Sequence, residues 1–169
     1  MDAGRPADAA AYAKRSIEAD SSRYMSHFLL GVIAKEQGRC DDAIVEFQRA
    51  IDAKRLEPDA VVRSLHASLA DCLARAGRAG EAEREFQAEL QTIPWSPEAR
   101  VGLAMLYRSQ ARDAEARTVL EGLITRTPQP NADVYWTVVR TFRVLGDATA
   151  AREWAARARE KFPGDPRFR

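Results

Sequence analysis

Apolar residues recur along this chain at intervals of three and four positions, the spacing of one face of an α-helix. Two such runs are Leu65, Leu69 and Leu73, and Leu103, Leu106 and Tyr107. Residues that start helices precede such runs: Ser96 and Asn131 can cap a helix, and Pro97 fits a first turn. No stretch alternates apolar and polar residues as a half-buried strand does. The pattern therefore predicts an all-α protein.

Two stretches of the sequence are nearly the same. Residues 38–51 read GRCDDAIVEFQRAI and residues 77–90 read GRAGEAEREFQAEL. A similar order of residue sizes surrounds Ala111 and Gly146, so the four turn positions lie 39, 34 and 35 residues apart. A period of about 34 residues predicts repeats of two antiparallel helices joined by a short turn. Glycine adopts the left-handed conformation of such a turn without steric cost.

Residue sizes within each repeat fit close packing of the two helices. Small residues that permit a close approach stand in the first helices at Gly31, Ala70 and Ala104, and in the second helices at Ala43, Ala82, Ala116 and Ala151. Large residues nine positions after the turn are expected to fill the space towards the next repeat: Phe47, Phe86 and Leu120. Prolines that end the second helix follow at Pro94, Pro128 and Pro163.

With these positions aligned, the chain resembles the tetratricopeptide repeat family over essentially its whole length. The resemblance implies an all-α, right-handed superhelical solenoid that forms a single domain over residues 1–169. A half repeat is expected at 1–21, and full repeats at 24–58, 63–94, 97–128 and 132–163. The aromatic residue near the start of the family's first helix is replaced by His27, His66 and Arg100, and Tyr135 retains it.

Two features depart from a regular array. Five extra residues between the first two turns predict either a longer loop or a lengthened first helix within 58–76. The leading helix, near 6–20, lacks its partner, and neither end of the chain resembles a dedicated cap. We therefore expect this sequence to be the C-terminal part of a longer bacterial protein. A cytoplasmic location is expected, with a periplasmic one left open because the N-terminus would then be truncated.

Composition and motifs argue against several function classes. The net charge is +1, although residues 1–94 carry 13 basic and 16 acidic side chains and residues 95–169 carry 13 and 9. This balance, without a basic stripe interleaved with aromatic residues, argues against nucleic-acid binding. The longest apolar run, FLLGVIA at 28–34, is too short to span a bilayer. No nucleophile-elbow, zinc-protease, phosphate-loop or dinucleotide motif is present, so we expect neither an enzyme nor a cofactor.

The histidines and cysteines are interpreted as packing residues. His27 and His66 occupy equivalent positions in neighbouring repeats, where they replace a packing aromatic residue, and no metal site is predicted from them. Cys40 and Cys72 have neither a CxxC nor a zinc spacing. They are expected to be small buried or half-buried thiols, without a structural disulfide framework.

The resemblance implies that first helices line a concave groove that binds a peptide. Candidate groove residues counted from each turn are Asp71, Met105, Arg108, Trp136, Arg140 and Arg143. Arginines beside Trp136 suit an extended acidic or carboxylate-bearing peptide, through bidentate hydrogen bonds and stacking. A solvated arginine face with local ion pairs is the alternative. The chain has a single asparagine, Asn131, so the clamp with which some family members hold chaperone tails is incomplete.

The sequence therefore predicts a protein-binding scaffold with salt-sensitive, micromolar affinity. Two other functions stay open. The terminal helices can dock on a second copy of the chain, which would make the array a self-assembly or spacer module. The array can also be the accessory region of an enzyme whose catalytic domain lies upstream.

Overall fold

The computed structural model describes residues 4–20, 23–55 and 61–169, with side chains from residue 8 onward. Within these ranges the backbone forms nine α-helices, one 3₁₀ helix and no strand, which confirms the prediction of an all-α helical repeat. The α-helices are α1 (Gly4–Ala19), α2 (Tyr24–Glu36), α3 (Cys40–Lys54), α4 (Leu65–Arg75), α5 (Ala79–Thr92), α6 (Pro97–Ser109), α7 (Asp113–Arg126), α8 (Ala132–Leu145) and α9 (Ala148–Lys161). The 3₁₀ helix is Pro166–Phe168.

The chain forms two compact units, Met1–Glu89 and Leu90–Arg169, and the boundary between them falls inside α5. In the first unit α1 packs on α2, α2 on α3, and α3 on α4. In the second unit α6 packs on α7 and α8 packs on α9, with further contacts between the two pairs. The single-domain assignment and the repeat boundaries stay predictions.

The four turns between paired helices share one backbone geometry. Gly38, Gly77 and Gly146 have φ values of 74°, 76° and 82°, and Ala111 has a φ of 59°. In each turn the amide of the next residue donates to the carbonyl five positions earlier, as Arg39 does to Ala34 at 2.9 Å. The predicted left-handed turn is thus confirmed, including the one place where alanine must adopt it.

Close packing in the first unit depends on Gly31. A Cβ atom added there would lie 2.6 Å from two ring atoms of Phe47, which is itself fully buried. Ala43 and Ala50 are buried on the same helix as Phe47. The predicted close approach of the two helices at small residues is therefore confirmed at this helix crossing, whereas the predicted role of Phe47 towards the next repeat stays a prediction.

The start of α4 shows where the extra residues go. This helix has only 11 residues and begins at Leu65, so the insertion does not lengthen it. Residues 56–60 of the insertion lie outside the described part of the chain. Ser64, the residue before α4, has a φ of 64° and does not cap the helix with its side chain. The buried carboxylate of Glu89 accepts from the amides of Ser64 at 2.8 Å and Ala67 at 3.4 Å, and so caps α4 from another helix.

The chain's last residues pack on the second unit. Phe168 is buried, with its ring centre 6.2 Å from that of Trp136. Arg159 donates to the carbonyl of Phe168 at 2.7 Å, and Arg167 donates to Asp133 on α8 at 2.8 Å. The closing segment therefore covers part of the α8–α9 pair, although its sequence does not resemble a dedicated cap.

Candidate functional site

Three side chains on α8 form a surface that we call the basic face: Trp136, Arg140 and Arg143. Their spacing of four and three residues puts them on one side of the helix. Both arginines are exposed and Trp136 is half-buried. The guanidinium carbon of Arg143 lies 5.5 Å from the centre of the Trp136 ring, within the range of a cation–π contact. Among the described residues, no hydrogen bond or ion pair engages the side chain of Arg140.

Trp136 is positioned by packing on its other side. Its ring meets Phe168 edge to face, with an interplanar angle of 67°. This contact holds one part of the indole against the core while the rest stays accessible beside Arg143. The basic face therefore combines one fixed aromatic ring with two long cationic side chains.

The α6 candidates have different surroundings. Met105 is 43% exposed, an unusual position for a large apolar side chain. Arg108 donates through Nε to the carbonyl of Leu145 at 3.0 Å, and through Nη1 to Asp113 at 2.9 Å. Its guanidinium thus closes the carbonyl end of α8 and borders a cavity of about 260 Å³ at the two turns of the second unit. Arg108 already has partners that Arg140 lacks among the residues described.

Asp71, the candidate from the first unit, forms ion pairs with two cations. Its carboxylate lies 3.1 Å from Nζ of Lys35 and 3.1 Å from a guanidinium nitrogen of Arg75. The negative charge at this position is therefore balanced within the first unit.

The two histidines make equivalent contacts. Nδ1 of His27 lies 2.7 Å from the carboxylate of Glu46, and Nδ1 of His66 lies 2.7 Å from that of Glu85. In both pairs the glutamate follows the histidine by nineteen residues and lies on the second helix of the same helix pair. Within the described residues, no group of three or more His, Cys, Asp or Glu is placed to hold a metal ion.

The same offset of nineteen residues describes an unexpected contact in the second unit. Arg100 is buried and donates to the carbonyls of Val119 at 2.9 Å and Pro94 at 2.8 Å. A Cβ atom on Gly122 would lie 2.0 Å from its Nη1, so glycine makes room for the guanidinium. Burial, and secondarily the charge of Arg126, lowers the pKa of Arg100. Sequence reasoning missed this pairing, although the repeated offset contained the signal.

Comparison with sequence models agrees with this architecture. One model of the tetratricopeptide repeat matches residues 1–61 and again 35–97, and a second matches residues 73–138. The chain belongs to the tetratricopeptide repeat family. No curated protein matches this tetratricopeptide repeat chain.

Solved structures share the fold at low sequence identity. The tetratricopeptide repeat protein YrrB, whose structure is described as having an unusual peptide-binding site, is 18% identical, with a TM-score of 0.63 over 97% of this chain and 81% of its own. MamA is 18% identical, with a TM-score of 0.70 over 95% of each chain. PilF of Pseudomonas aeruginosa is 18% identical, with a TM-score of 0.62 over 92% of this chain and 68% of its own. At this identity the likeness shows the fold alone.

Together, the family and the fold support a protein-interaction scaffold. None of the helices in the described ranges is long and apolar enough to cross a membrane.

Proposed function

We propose that this tetratricopeptide repeat protein is a non-catalytic binding module whose basic face holds an acidic or carboxylate-bearing peptide segment. The observation that carries the proposal is the state of Arg140 and Arg143. Both are exposed, Arg140 has no carboxylate partner among the described residues, and the guanidinium of Arg143 lies over the Trp136 ring. A guanidinium without a carboxylate keeps its five donors available for a ligand.

Nearby acidic groups do not neutralise this face. Asp133, in the first turn of α8, is paired with Arg167, and Asp113 is paired with Arg108. Residues 95–169 also carry 13 basic against 9 acidic side chains. A peptide carboxylate would therefore meet a net positive field as well as specific donors.

The other candidate residues have distinct proposed roles. Trp136 offers a ring edge on which a peptide group or an apolar side chain can pack. Met105 offers an adaptable apolar contact on α6, and Arg108 borders the site while it holds Leu145 and Asp113. Asp71 stays a predicted groove residue of the first unit, where Lys35 and Arg75 pair with its carboxylate. The peptide-binding site described for YrrB supports a peptide as the ligand class.

A pair of labelled glutamate peptides tests the proposal, one with a free C-terminal carboxylate and one amidated. We expect micromolar binding by fluorescence anisotropy, and weakening when salt rises well above physiological strength, because exposed charges are then screened. An amidated glutamine peptide of the same length, which has no carboxylate, should not bind. Loss of binding on amidation alone would assign recognition to the terminal carboxylate, and retention would assign it to the side chains.

A matched pair of charge reversals locates the binding site. Arg140→Glu should weaken binding by about tenfold or more, because repulsion replaces attraction. Arg152→Glu makes the same charge change at an exposed arginine on α9 and should change affinity by less than about twofold. Equal effects of the two variants, with unchanged helical circular dichroism, would refute the basic face as the site.

Self-assembly is the second candidate, favoured by exposed apolar side chains in the first unit. Tyr12 on α1 is 68% exposed and Met25 on α2 is 53% exposed. In this case the mass from light scattering should rise with protein concentration, and Tyr12→Lys should lower it. A constant monomer mass up to about 100 μM would remove this candidate.

A further inference from the structure

Arg100 is a buried cation that forms no ion pair with any carboxylate among the described residues. It lies in the first turn of α6 and is 8% exposed. Its Nε and Nη1 atoms donate to main-chain carbonyls, whereas its Nη2 atom makes no hydrogen bond in the described part of the chain. Burial of a charge is costly without an opposite charge, and the start of a helix disfavours a cation. Arg100 therefore lacks the counter-charge that its position calls for.

The unbonded Nη2 atom of Arg100 reaches an open cavity. Among the described residues, every fully buried side-chain nitrogen or oxygen has a hydrogen-bond partner, so Nη2, which has none, is accessible. An open cavity of about 540 Å³ lies beside the guanidinium, and Gly122, Thr125 and Arg126 of α7 also line it. A cavity of this size is in the range of sites that bind small molecules.

The helix α7 places two more polar side chains beside this guanidinium. A Cβ atom on Gly122 would lie 3.2 Å from Nη2 of Arg100, so the guanidinium lies directly over this turn of α7. Thr125 and Arg126 follow Gly122 by three and four residues, which puts them on the same helix face one turn further on. Both are exposed, and neither side chain has a hydrogen bond or an ion pair within the described ranges. Three side chains thus offer donors to one cavity.

The other polar groups at this cavity already have partners. Glu115 is the one acidic side chain among the described residues that line it, and Arg112 binds its carboxylate through two hydrogen bonds of 2.8 and 2.6 Å. Thr118 donates its hydroxyl proton to the carbonyl of Ala114. Burial and the charge of Arg126 lower the pKa of Arg100, but an arginine stays protonated at neutral pH. The cavity therefore has two positive charges that no carboxylate balances, those of Arg100 and Arg126.

We propose that Arg100, Thr125 and Arg126 form a binding site for a small molecule that carries a phosphate group. A phosphate dianion would balance both positive charges, whereas a carboxylate would balance only one. Guanidinium groups bind phosphate oxygens through charge-assisted hydrogen bonds, and the Thr125 hydroxyl can donate a further bond. This inference goes beyond the peptide binding proposed for the basic face, because it concerns another helix pair and another class of ligand.

The first test titrates the isotope-labelled full chain with inorganic phosphate and follows the amide signals by NMR. Sodium chloride keeps the ionic strength constant, so that general screening does not change during the titration. We expect the amides of Gly122, Thr125 and Arg126 to shift with a common dissociation constant of about 1 mM or below. Unchanged signals of these amides up to about 20 mM phosphate would overturn the proposal.

The charge of the ligand is tested with phenyl phosphate and benzenesulfonate. Both carry the same ring, but near pH 8 the phosphate has two negative charges and the sulfonate has one. We expect phenyl phosphate to bind about fivefold more tightly or better, because only the dianion balances both arginines. Equal affinities would contradict a site that is built for a dianion.

Substitutions on three helices locate the phosphate site. Arg126→Gln should weaken phenyl phosphate binding by about fivefold or more, because it removes one of the two charges. Arg152→Gln makes the same change at an exposed arginine on α9, and Arg140→Gln makes it on the basic face; each should alter affinity by less than about twofold. An effect of Arg140→Gln or Arg152→Gln as large as that of Arg126→Gln would overturn the assigned site.

Arg100→Gln tests the buried cation directly and should abolish detectable binding while helical circular dichroism is unchanged. If this variant fails to fold, the side-chain Nε signal of Arg100 in the unsubstituted chain replaces it, and this signal should shift together with the Arg126 amide. A phosphoserine peptide separates a small molecule from a phosphorylated protein as the source of the phosphate. Binding of this peptide more tightly than phenyl phosphate would overturn the small-molecule assignment.

Discussion

The two compact units fill the same repeat positions with different chemistry. Near the start of the first helix, the first unit places His27 and His66, each bound to a glutamate nineteen residues later. The second unit places Arg100 against the carbonyl of Val119 and Tyr135 against the ring of Trp154 at the same offset. The turn between the paired helices keeps one backbone geometry, while the contact changes from an imidazole–carboxylate pair to a guanidinium–carbonyl pair to an aromatic pair.

This difference shows that each repeat keeps a contact between these two positions, whereas the residue types that make the contact vary. A polar group is accepted at the position when a partner at the fixed offset satisfies it, since a buried polar group without a partner is costly. Arg100 differs from the histidines, because its partners are carbonyl groups and its guanidinium lies beside Gly122. The following substitutions test how much the stability of each unit depends on such local partner groups.

Replacement of Glu89 should have the largest effect on stability. Glu89 stands twelve residues after its turn, where the second unit has the apolar Leu123, and its carboxylate caps α4. Glu89→Ala leaves two amides without an acceptor and a cavity in place of the side chain. We expect the free energy of unfolding to fall by about 3 kcal/mol, measured by urea denaturation.

Gln87→Ala is the control for this change, because Gln87 is exposed on the same helix. Its effect should stay within about 0.5 kcal/mol. A similar small loss for Glu89→Ala would mean that water replaces the carboxylate at α4, and that the first unit depends less on this cap than its burial indicates.

Gly31 and Gly122 each lie close to another side chain, but Gly31 faces a buried ring and Gly122 faces the end of a flexible side chain. Gly31→Ala should lower the free energy of unfolding by about 2 kcal/mol, because the added methyl group meets the buried Phe47 ring. Gly122→Ala should cost less, about 1 kcal/mol, since the guanidinium of Arg100 ends a flexible side chain and can give up its bond to Val119.

Gly80→Ala controls for the change of residue type, because a Cβ at this helical glycine meets nothing within 4 Å. It should raise the free energy of unfolding by about 0.5 kcal/mol. If Gly31→Ala and Gly122→Ala lower the free energy of unfolding equally in the same denaturation experiment, the proposed difference between a rigid contact at Gly31 and a flexible one at Gly122 is wrong.

The sequence-based predictions that the structure confirms concern residues that are close to one another along the chain. The turn at Gly38, the close approach of two helices at Gly31 and the cap at Ser96 each depend on residues within one helix pair or one helix end. Such contacts recur with the repeat, so a pattern of residue sizes is enough to find them.

The contacts that sequence does not reveal depend on orientation or on irregular backbone. Glu89 occupies a position where the other repeats have the apolar residues Ala50, Leu123 and Ala158, and nothing in the sequence indicates that the amide of Ser64 lies beside its carboxylate. Arg108 shares its offset with Arg143, yet its rotamer directs it to Leu145 and Asp113. The spacing of residues in the sequence predicts the helix face on which a side chain lies, whereas its hydrogen-bond partners depend on how the helices pack.

The turn of the α6–α7 pair offers the smallest and most direct comparison. Ala111 adopts a φ of 59°, whereas the α8–α9 turn has Gly146 at 82°, where an added Cβ would meet nothing within 4 Å. Alanine in this conformation is strained by about 1 kcal/mol, so Ala111→Gly should raise the free energy of unfolding and Gly146→Ala should lower it by a similar amount. Glycine also widens the unfolded ensemble, which opposes the gain. A loss of stability in Ala111→Gly, measured by urea denaturation, would show that this entropy exceeds the relief of strain, and that alanine is the better residue at this turn.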